Sequence, residues 1–132
     1  MRATCLCESV VLDVEHSSEF DACHCGMCRK WGGGPYLAVH CKSYSVVSGE
    51  KSISVFDSSE WGQRGFCANC GTHLFYHLKP ANEYIVPLGL LQSENEFTFK
   101  QQIFIDKKPN TYAFSNETVS LTEQQVFEKF GT

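Results

Sequence analysis

The sequence lacks most of the patterns that identify common enzyme and membrane classes. It contains no apolar run of transmembrane length. Residues 1–15 also lack the unbroken apolar segment of a secretory leader. Nucleophile elbows, HExxH zinc motifs, phosphate loops and dinucleotide fingerprints are missing as well. We therefore expect a cytoplasmic protein without membrane contact, whose thiols stay reduced.

Positive charge is also scarce. Eleven Lys and Arg residues stand against fifteen Asp and Glu residues, for a formal net charge of −4. The basic residues are scattered, and their only tight groups are Arg29-Lys30 and Lys107-Lys108. Such a chain is a poor partner for phosphate backbones, so we expect no nucleic-acid binding.

Cysteine, in contrast, is abundant and regularly spaced. The eight cysteines form a CxC pair (Cys5, Cys7), a CxCxxC cluster (Cys23, Cys25, Cys28), a CxxC pair (Cys67, Cys70) and the isolated Cys41. A CxC pair on a strand places its Cα atoms about 6.6 Å apart, near the upper limit for a disulfide. A metal bridges two such thiolates easily, so the spacing favours zinc over disulfides.

The CxC and CxxC pairs together supply the four thiolates that structural zinc prefers. These ligands are Cys5, Cys7, Cys67 and Cys70. The pairs lie about sixty residues apart in the chain, so a shared metal closes a long loop. We predict that this site is structural and that folding requires it.

The CxCxxC cluster offers only three thiolates, which predicts a zinc site with an open, substrate-accessible position. Its members are Cys23, Cys25 and Cys28. In the alternative interpretation, Cys41 closes the shell and the protein is a non-catalytic, zinc-stabilised binding module. Against this, an isolated cysteine is more often a small buried apolar residue. His24 is expected to point away from the metal, at the site rim or in solvent.

Three further residues are candidates for ligand binding. Gly33 and Gly34 belong to a glycine triplet that follows the cysteine cluster. They either form a flexible turn or allow a ligand to approach backbone N–H groups. Arg64 either pairs with a substrate carboxylate or is a surface residue of a strand.

Short alternating runs separated by turn residues predict a mainly β, antiparallel single domain over residues 1–132. The strand-like runs are Ala3–Glu15, Pro35–Lys42, Tyr44–Val47, Ser52–Phe56, Arg64–Cys67, Thr72–Leu78 and Glu83–Leu90. Residues 101–113 read as a strand followed by an irregular crossing. Helices are predicted over Gly26–Trp31 and Glu123–Phe130, the second with Thr122 and Gln125 as a capping box and Gly131 as its stop.

These motifs together resemble the glutathione-dependent formaldehyde-activating enzyme family, which includes centromere protein V. The resemblance extends from Cys5 to about Leu90 and is carried by the three cysteine motifs and their flanking residues. It implies a zinc-pinned fold of the β-tent type with two Zn²⁺ ions per chain. It also implies that the four-cysteine site is structural and that Cys23, Cys25 and Cys28 are catalytic.

The implied reaction is the reversible addition of glutathione or a similar thiol to formaldehyde or a related aldehyde. This is carbon–sulfur lyase chemistry, of the S-(hydroxymethyl)glutathione synthase type, and its partners are small molecules. Zinc favours the thiolate form of an added thiol, which agrees with this assignment. A zinc-hydroxide hydrolase is the other alternative, but it would favour His and carboxylate ligands with a nearby Glu, and the sequence shows no such pattern.

Overall fold

Ten β-strands and two α-helices form most of the regular structure in the computed structural model, which describes residues 1–92 and 94–130. The strands are β1 (Arg2–Thr4), β2 (Val11–His16), β3 (Glu19–Cys23), β4 (Tyr36–Ser48), β5 (Ile53–Asp57), β6 (Gly62–Cys67), β7 (His73–Leu78), β8 (Glu83–Pro87), β9 (Thr98–Ile103) and β10 (Val119–Leu121). The helices are α1 (Gly26–Gly32) and α2 (Glu123–Phe130). The prediction of a mainly β protein is confirmed.

The chain divides into two compact units. The first comprises Met1–Ser18 and Val39–Glu96, and the second comprises Glu19–Ala38 and Phe97–Thr132. Strand β4 begins in the second unit and continues into the first. A single domain over the whole chain stays a prediction.

The first unit is antiparallel. Strands β1 and β2 form a hairpin, β2 pairs with β4, and β5 to β8 pair in succession. Apolar side chains that alternate along these strands point inward, and the fully buried ones include Leu12, Leu74 and Val86. Because only one face of each strand is buried, apolar and polar residues alternate along the sequence, and this alternation predicted most of these strands.

Two predictions in this unit need correction. The single strand expected over Ala3–Glu15 is two strands, because residues 5–10 turn back on themselves to present Cys5 and Cys7. Conversely, the two strands expected over Pro35–Lys42 and Tyr44–Val47 form one continuous strand of 13 residues. The first prediction was wrong because the buried positions change phase within this segment, from Ala3 and Cys5 to Val10 and Leu12, where the chain reverses.

The second unit contains parallel pairings that the sequence pattern did not indicate. Strand β3 pairs with the start of β4 in antiparallel fashion but with β9 in parallel, and β9 pairs in parallel with β10. Strands β3 and β10, which are 5 and 3 residues long, were not predicted. The strand and irregular crossing expected over residues 101–113 are present as β9 and a one-turn 3₁₀ helix over Ile105–Lys107, followed by loop.

Both helices lie where the sequence placed them. The capping box of α2 is formed, because Gln125 Oε1 accepts from Thr122 N at 2.8 Å and Gln125 N donates to Thr122 Oγ1 at 3.2 Å. Val126 is buried, and the Phe127 ring contacts Phe104. The side chain of Phe130 and the stop at Gly131 lie outside the described residues.

Within the described residues, no helix has the length and apolar character needed to cross a membrane.

Candidate metal centres

The four-cysteine site joins two turns of the first unit. Cys5 and Cys7 lie between β1 and β2, while Cys67 ends β6 and Cys70 lies between β6 and β7, and all four sulfur atoms are within 4.8 Å of one another. Cys7 Sγ lies 3.6 Å from Cys5 Sγ and 3.8 Å from Cys67 Sγ. Tetrahedral zinc with Zn–S bonds of about 2.3 Å separates its sulfur ligands by about 3.8 Å. The donor set therefore fits zinc in both chemistry and size.

Tight backbone turns position these thiols. Gly71 adopts a left-handed conformation with φ of 76°, and its N–H donates to the Cys67 carbonyl at 2.8 Å. On the opposite side, Glu8 has φ of 63° and donates to the Cys5 carbonyl at 3.0 Å. Glycine adopts the left-handed conformation at position 71 without steric strain. For this reason the CxxCG pattern reliably indicates a tight turn that brings two thiols together.

Hydroxyl groups support the thiolate state at this site. Thr72 Oγ1 lies 3.1 Å from Cys70 Sγ, and this hydrogen bond, followed by one from the Thr72 backbone, is the main cause that lowers the pKa of the Cys70 thiol to about 5. Ser9 Oγ lies 3.5 Å from Cys67 Sγ and lowers the pKa of that thiol. Since metals bind thiolates, these two hydroxyls favour the form that binds zinc. Sequence analysis missed both residues.

The three-cysteine site lies in the second unit and is built from one short segment. Cys23 ends β3, Cys25 is the N-cap of α1, and Cys28 lies within α1. Their sulfur atoms are within 4.8 Å of one another, and among the described residues no fourth His, Cys, Asp or Glu joins this group. Cys23 and Cys28 are buried, while Cys25 is half-buried.

Without a cation, three neighbouring thiols oppose one another's ionisation. The pKa of Cys23 is raised, chiefly by its hydrogen bonds with the thiols of Cys25 and Cys28 and then by burial. A divalent cation held by the three sulfur atoms would reverse this balance, since it stabilises thiolates directly. The donor set therefore suits zinc, with three protein ligands.

His24 lies between two of these cysteines but is bonded elsewhere. Its Nε2 is 2.8 Å from Gln102 Oε1, and its Nδ1 is 2.7 Å from the Tyr112 hydroxyl. Gln102 Nε2 donates to Thr118, so the Gln102 oxygen accepts and His24 Nε2 carries the proton. Tyr112 O–H then donates to Nδ1. Burial lowers the pKa of His24, which favours this neutral form.

The expectation that His24 lies at the site rim or in solvent was wrong. The residue is fully buried, and both ring nitrogens are hydrogen-bonded to Tyr112 and Gln102. Its partners are far away in the chain, so no local pattern could have identified them. In this position His24 anchors the cysteine loop to the segment that carries Tyr112.

Both clusters fall within residues 1–107, which match the family model described as "Glutathione-dependent formaldehyde-activating enzyme". The chain belongs to this family.

Two further similarities concern a relative in sequence and a fold. The chain is 32% identical over 126 residues to a Schizosaccharomyces pombe (strain 972 / ATCC 24843) protein named "Uncharacterized lyase C29B12.13", covering 94% of this chain and 92% of the relative. The crystal structure of a Rhodobacter sphaeroides protein resembles the fold with a TM-score of 0.61. That comparison covers 92% of this chain and all of the other at 20% identity, so it concerns the fold alone.

A groove lies beside the cysteine loop in this member of the formaldehyde-activating enzyme family. It has a volume of about 450 Å³. One side is formed by α1 and the glycines after it, and the other by Pro109, Thr111 and Tyr112. Gly33 and Gly34 line it, and Gly33 also ends α1 with φ of 84° and an N–H bond to the Arg29 carbonyl. Their role in ligand binding stays a prediction.

Arg64 lies in the first unit, on β6, and is 5% exposed. Its guanidinium is 4.9 Å from the centre of the Tyr76 ring, and its Nε donates to Ser58 Oγ at 3.3 Å. The alternative interpretation as a surface residue is therefore wrong. Its pairing with a substrate carboxylate stays a prediction.

Cys41 belongs to neither cluster. It is buried, and its thiol donates to the Val39 carbonyl at 3.8 Å. Burial is the main cause that raises its pKa to about 11. Such a thiol is protonated at neutral pH, which agrees with the interpretation of Cys41 as a small apolar residue.

Proposed function

We propose that the protein is a zinc-dependent carbon–sulfur lyase that reversibly adds a small, glutathione-like thiol to formaldehyde or a related aldehyde. The observation that carries this proposal is the group of three thiols without a fourth protein ligand among the described residues. Tetrahedral zinc held there has one position left for a substrate. Family membership and the lyase named among the relatives support the same class of reaction.

Cys23, Cys25 and Cys28 would hold the ion, and their placement across a strand end and a helix start fixes its position. When bound, zinc would supply the positive charge that keeps an added thiol in its nucleophilic thiolate form. His24 holds the loop in place through Gln102 and Tyr112. The protein thereby fixes the geometry in which thiol and aldehyde meet.

The overall reaction balances without any redox partner. The thiol sulfur forms a bond to the aldehyde carbon, the carbon–oxygen double bond becomes a single bond, and the thiol proton ends on the hydroxyl oxygen. The reverse direction breaks the same carbon–sulfur bond. A general base in the motif is not needed, since the metal favours loss of the thiol proton.

The four-cysteine site has a different role in this proposal. Its shell is complete, so a zinc ion there has no position for substrate and serves to hold the first unit together. The proposal also places the protein in the cytoplasm, where reduced thiols are abundant.

Cobalt substitution combined with turnover measurements tests the proposal. In the Co²⁺-substituted protein, glutathione should change the ligand-field and charge-transfer bands, whereas S-methyl glutathione should not. The zinc protein should also accelerate exchange between free ¹³C-formaldehyde and its glutathione adduct, measured by NMR exchange spectroscopy.

Cys28→Ser is the matched control for the three-cysteine site. It should abolish both the spectral response and the rate acceleration. If glutathione changes neither the spectrum nor the exchange rate of wild-type protein, the lyase proposal is wrong and the binding-module alternative replaces it.

A further inference from the structure

Strand β5 has a partner on one side only. It pairs with β6 from Ile53 to Asp57, and it stands at the end of the strand order of the sheet. In the part of the chain that the structure describes, no strand pairs with its other side. The first unit therefore has a free sheet edge, and this strand contains no residue of either cysteine cluster.

Hydrogen bonds at both ends of β5 show which of its positions bond to β6. Before the strand, the N–H of Ala68 donates to the Ser52 carbonyl at 2.7 Å, and after it, the N–H of Ser58 donates to the Gly62 carbonyl at 3.2 Å. Bonded and non-bonded positions alternate along an antiparallel strand. Because positions 52 and 58 are bonded to β6, positions 54 and 56 are bonded to it as well. Positions 53, 55 and 57 therefore direct their backbone groups outward.

Val55 and Asp57 carry the complete sets of free backbone groups at this edge. The N–H of Ile53 donates to the Glu50 carbonyl, so this residue has already used its donor. Among the described residues, no backbone group bonds to the N–H or C=O of Val55 or Asp57. The edge thus offers two donors and two acceptors at the spacing of a β-strand, and another strand in extended conformation matches them.

Apolar side chains are exposed along the same edge. Val55 is 50% exposed and Phe56 is 64% exposed, and Trp61 in the turn that follows β5 is 50% exposed. Single exposed apolar residues are common on protein surfaces, but a group of them beside unpaired backbone groups indicates an interaction site.

The edge also lacks the features that keep strands from pairing with other chains. Such edges usually carry proline, lysine or a β-bulge. Strand β5 contains neither proline nor lysine, and its register with β6 is continuous. Its one charged residue is Asp57, and Lys79 Nζ lies 2.9 Å from the Asp57 carboxylate, which offsets this charge. The edge can therefore accept a strand without placing an unpaired charge in the contact.

We propose that β5 pairs with β5 of a second copy of this chain, in antiparallel fashion, about a two-fold axis at Phe56. In this register Val55 of each copy faces Asp57 of the other, and each facing pair exchanges two hydrogen bonds, about four in total. All the free donors and acceptors of Val55 and Asp57 are then satisfied. The two Phe56 residues face each other as a non-bonded pair, in which side chains approach most closely.

A second copy fits this edge because the edge is complementary to itself. A two-fold interface brings the same residues together from both sides, so each must tolerate its own symmetry partner. Here the residue on the axis is an aromatic ring, and the carboxylate of Asp57 faces Val55 rather than another carboxylate. An interface of one strand per copy is small, so we expect a weak dimer that forms as the protein concentration rises.

Analytical ultracentrifugation of the full-length zinc protein, from micromolar to millimolar concentration, tests the proposal. Wild-type protein should change from monomer to dimer across this range. Val55→Pro should weaken dimerisation at least about ten-fold, because it removes one donor from each copy. The N–H of Val55 is not used within the monomer, so the variant should keep its zinc content and its circular dichroism spectrum.

Phe56→Glu is a second variant that does not depend on proline being tolerated. It places two carboxylates face to face at the axis and should also weaken dimerisation at least about ten-fold. Val47→Glu is the matched control, because Val47 is an apolar strand residue that is 44% exposed and the change in net charge is the same. This control should dimerise like wild type.

Amide hydrogen exchange measured by NMR locates the contact independently of the variants. In wild-type protein, the amides of Val55 and Asp57 should exchange more slowly as the concentration rises. A wild-type protein that stays monomeric up to millimolar concentration would overturn the proposal. A dimer that persists in Phe56→Glu, or that Val47→Glu weakens to the same extent, would also overturn it, since the contact would then lie elsewhere or reflect net charge alone.

Discussion

Thr72 connects the two turns of the four-cysteine site through one hydroxyl group. Its Oγ1 accepts from the N–H of Leu6 at 3.1 Å and lies 3.1 Å from Cys70 Sγ. Because the oxygen already accepts from Leu6, its own O–H is free to donate to the Cys70 thiolate. The residue thus joins the CxC turn to the CxxC turn independently of the metal.

Thr72→Val should weaken zinc binding at this site by about ten-fold, since it removes a hydrogen bond to a metal ligand while keeping the side-chain shape. Thr72→Ser should restore it, because serine keeps the hydroxyl. Zinc transfer to a chromogenic chelator measures the affinity. In the Co²⁺ form, Thr72→Val should also shift the thiolate charge-transfer band. Equal affinity in the valine and wild-type proteins would contradict this role.

Cys41→Ala should leave the zinc content of the purified protein unchanged. Its thiol is buried, protonated and outside both cysteine clusters, so its removal leaves only a small cavity. Elemental analysis of the metal-to-protein ratio measures this directly. Loss of one zinc in the variant would show that Cys41 closes the second site, and the open-site proposal would then be withdrawn.

At the scale of single residues, the sequence identified candidate metal ligands where they lie close together in the chain. The seven clustered cysteines were identified because CxC, CxCxxC and CxxCG place thiols together within one turn. His24 was misplaced for the opposite reason. Its environment depends on Gln102, which β9 brings close by pairing with β3, and on Tyr112, and both lie far from His24 in the sequence.

Among the elements, the turn that leads from β4 into β5 depends on Gly49. This residue has φ of 81°, and a Cβ atom there would lie 1.7 Å from the backbone oxygen of Ser9. The hairpin that carries Cys5 and Cys7 therefore packs directly against this glycine. Its backbone atoms cannot move aside as a flexible side chain can, so a larger residue at position 49 would clash with them.

Gly49→Ala should therefore destabilise the protein by at least about 2 kcal/mol, from left-handed strain together with the backbone clash. Gly89→Ala is the matched control, since an added Cβ there meets nothing within 4 Å. Chemical denaturation monitored by circular dichroism compares the two variants. Similar midpoints for both would show that the turn adapts to a side chain.

Helices and strands with a clear local sequence pattern were predicted. Strand pairings that depend on residues far apart in the sequence were not. Helix α2 was located by its capping box, which both Thr122 and Gln125 form. The β1–β2 hairpin was missed because both arms alternate, and the change of phase between Cys5 and Val10 that marks the turn was overlooked. The parallel pairing of β3 with β9 has no local signature at all, since the partners lie far apart in sequence.

Across the whole molecule, each compact unit contains one complete cysteine cluster. The four-cysteine site connects residues about sixty positions apart within the first unit, whereas the three-cysteine site lies within six consecutive residues of the second. Closing a long loop removes more chain entropy than closing a short one. Metal loss should consequently affect the two units differently.

The charge of the whole molecule would also change if both clusters held zinc. Seven thiolates would add seven negative charges and two Zn²⁺ ions four positive charges, which would take the formal charge from −4 to −7. Arg29 and Lys30 line the groove beside the three-cysteine loop, which would carry a net negative charge with three thiolates and one Zn²⁺. Positive charge at this distance favours a thiolate shell.

Purified protein should contain two zinc ions per chain, and the two sites should respond differently to substitution. Cys67→Ser removes a ligand from the site that joins distant segments of the chain. In small zinc-binding domains, structural zinc contributes about 10–16 kcal/mol of apparent binding energy. We expect this variant to unfold or aggregate. Cys25→Ser removes a ligand from a local loop, so we expect a folded protein with one zinc and no spectral response to thiols.

Elemental analysis, circular dichroism and thermal denaturation measured on both variants test this asymmetry. A chelator titration of wild-type protein adds a second measurement, in which the three-cysteine site should release zinc first, without loss of β-structure, because it has one protein ligand fewer. The unfolding signal should appear only when the second zinc is removed. If the two variants are equally unfolded, or if unfolding accompanies the first zinc released, the assignment of one structural and one open site is wrong.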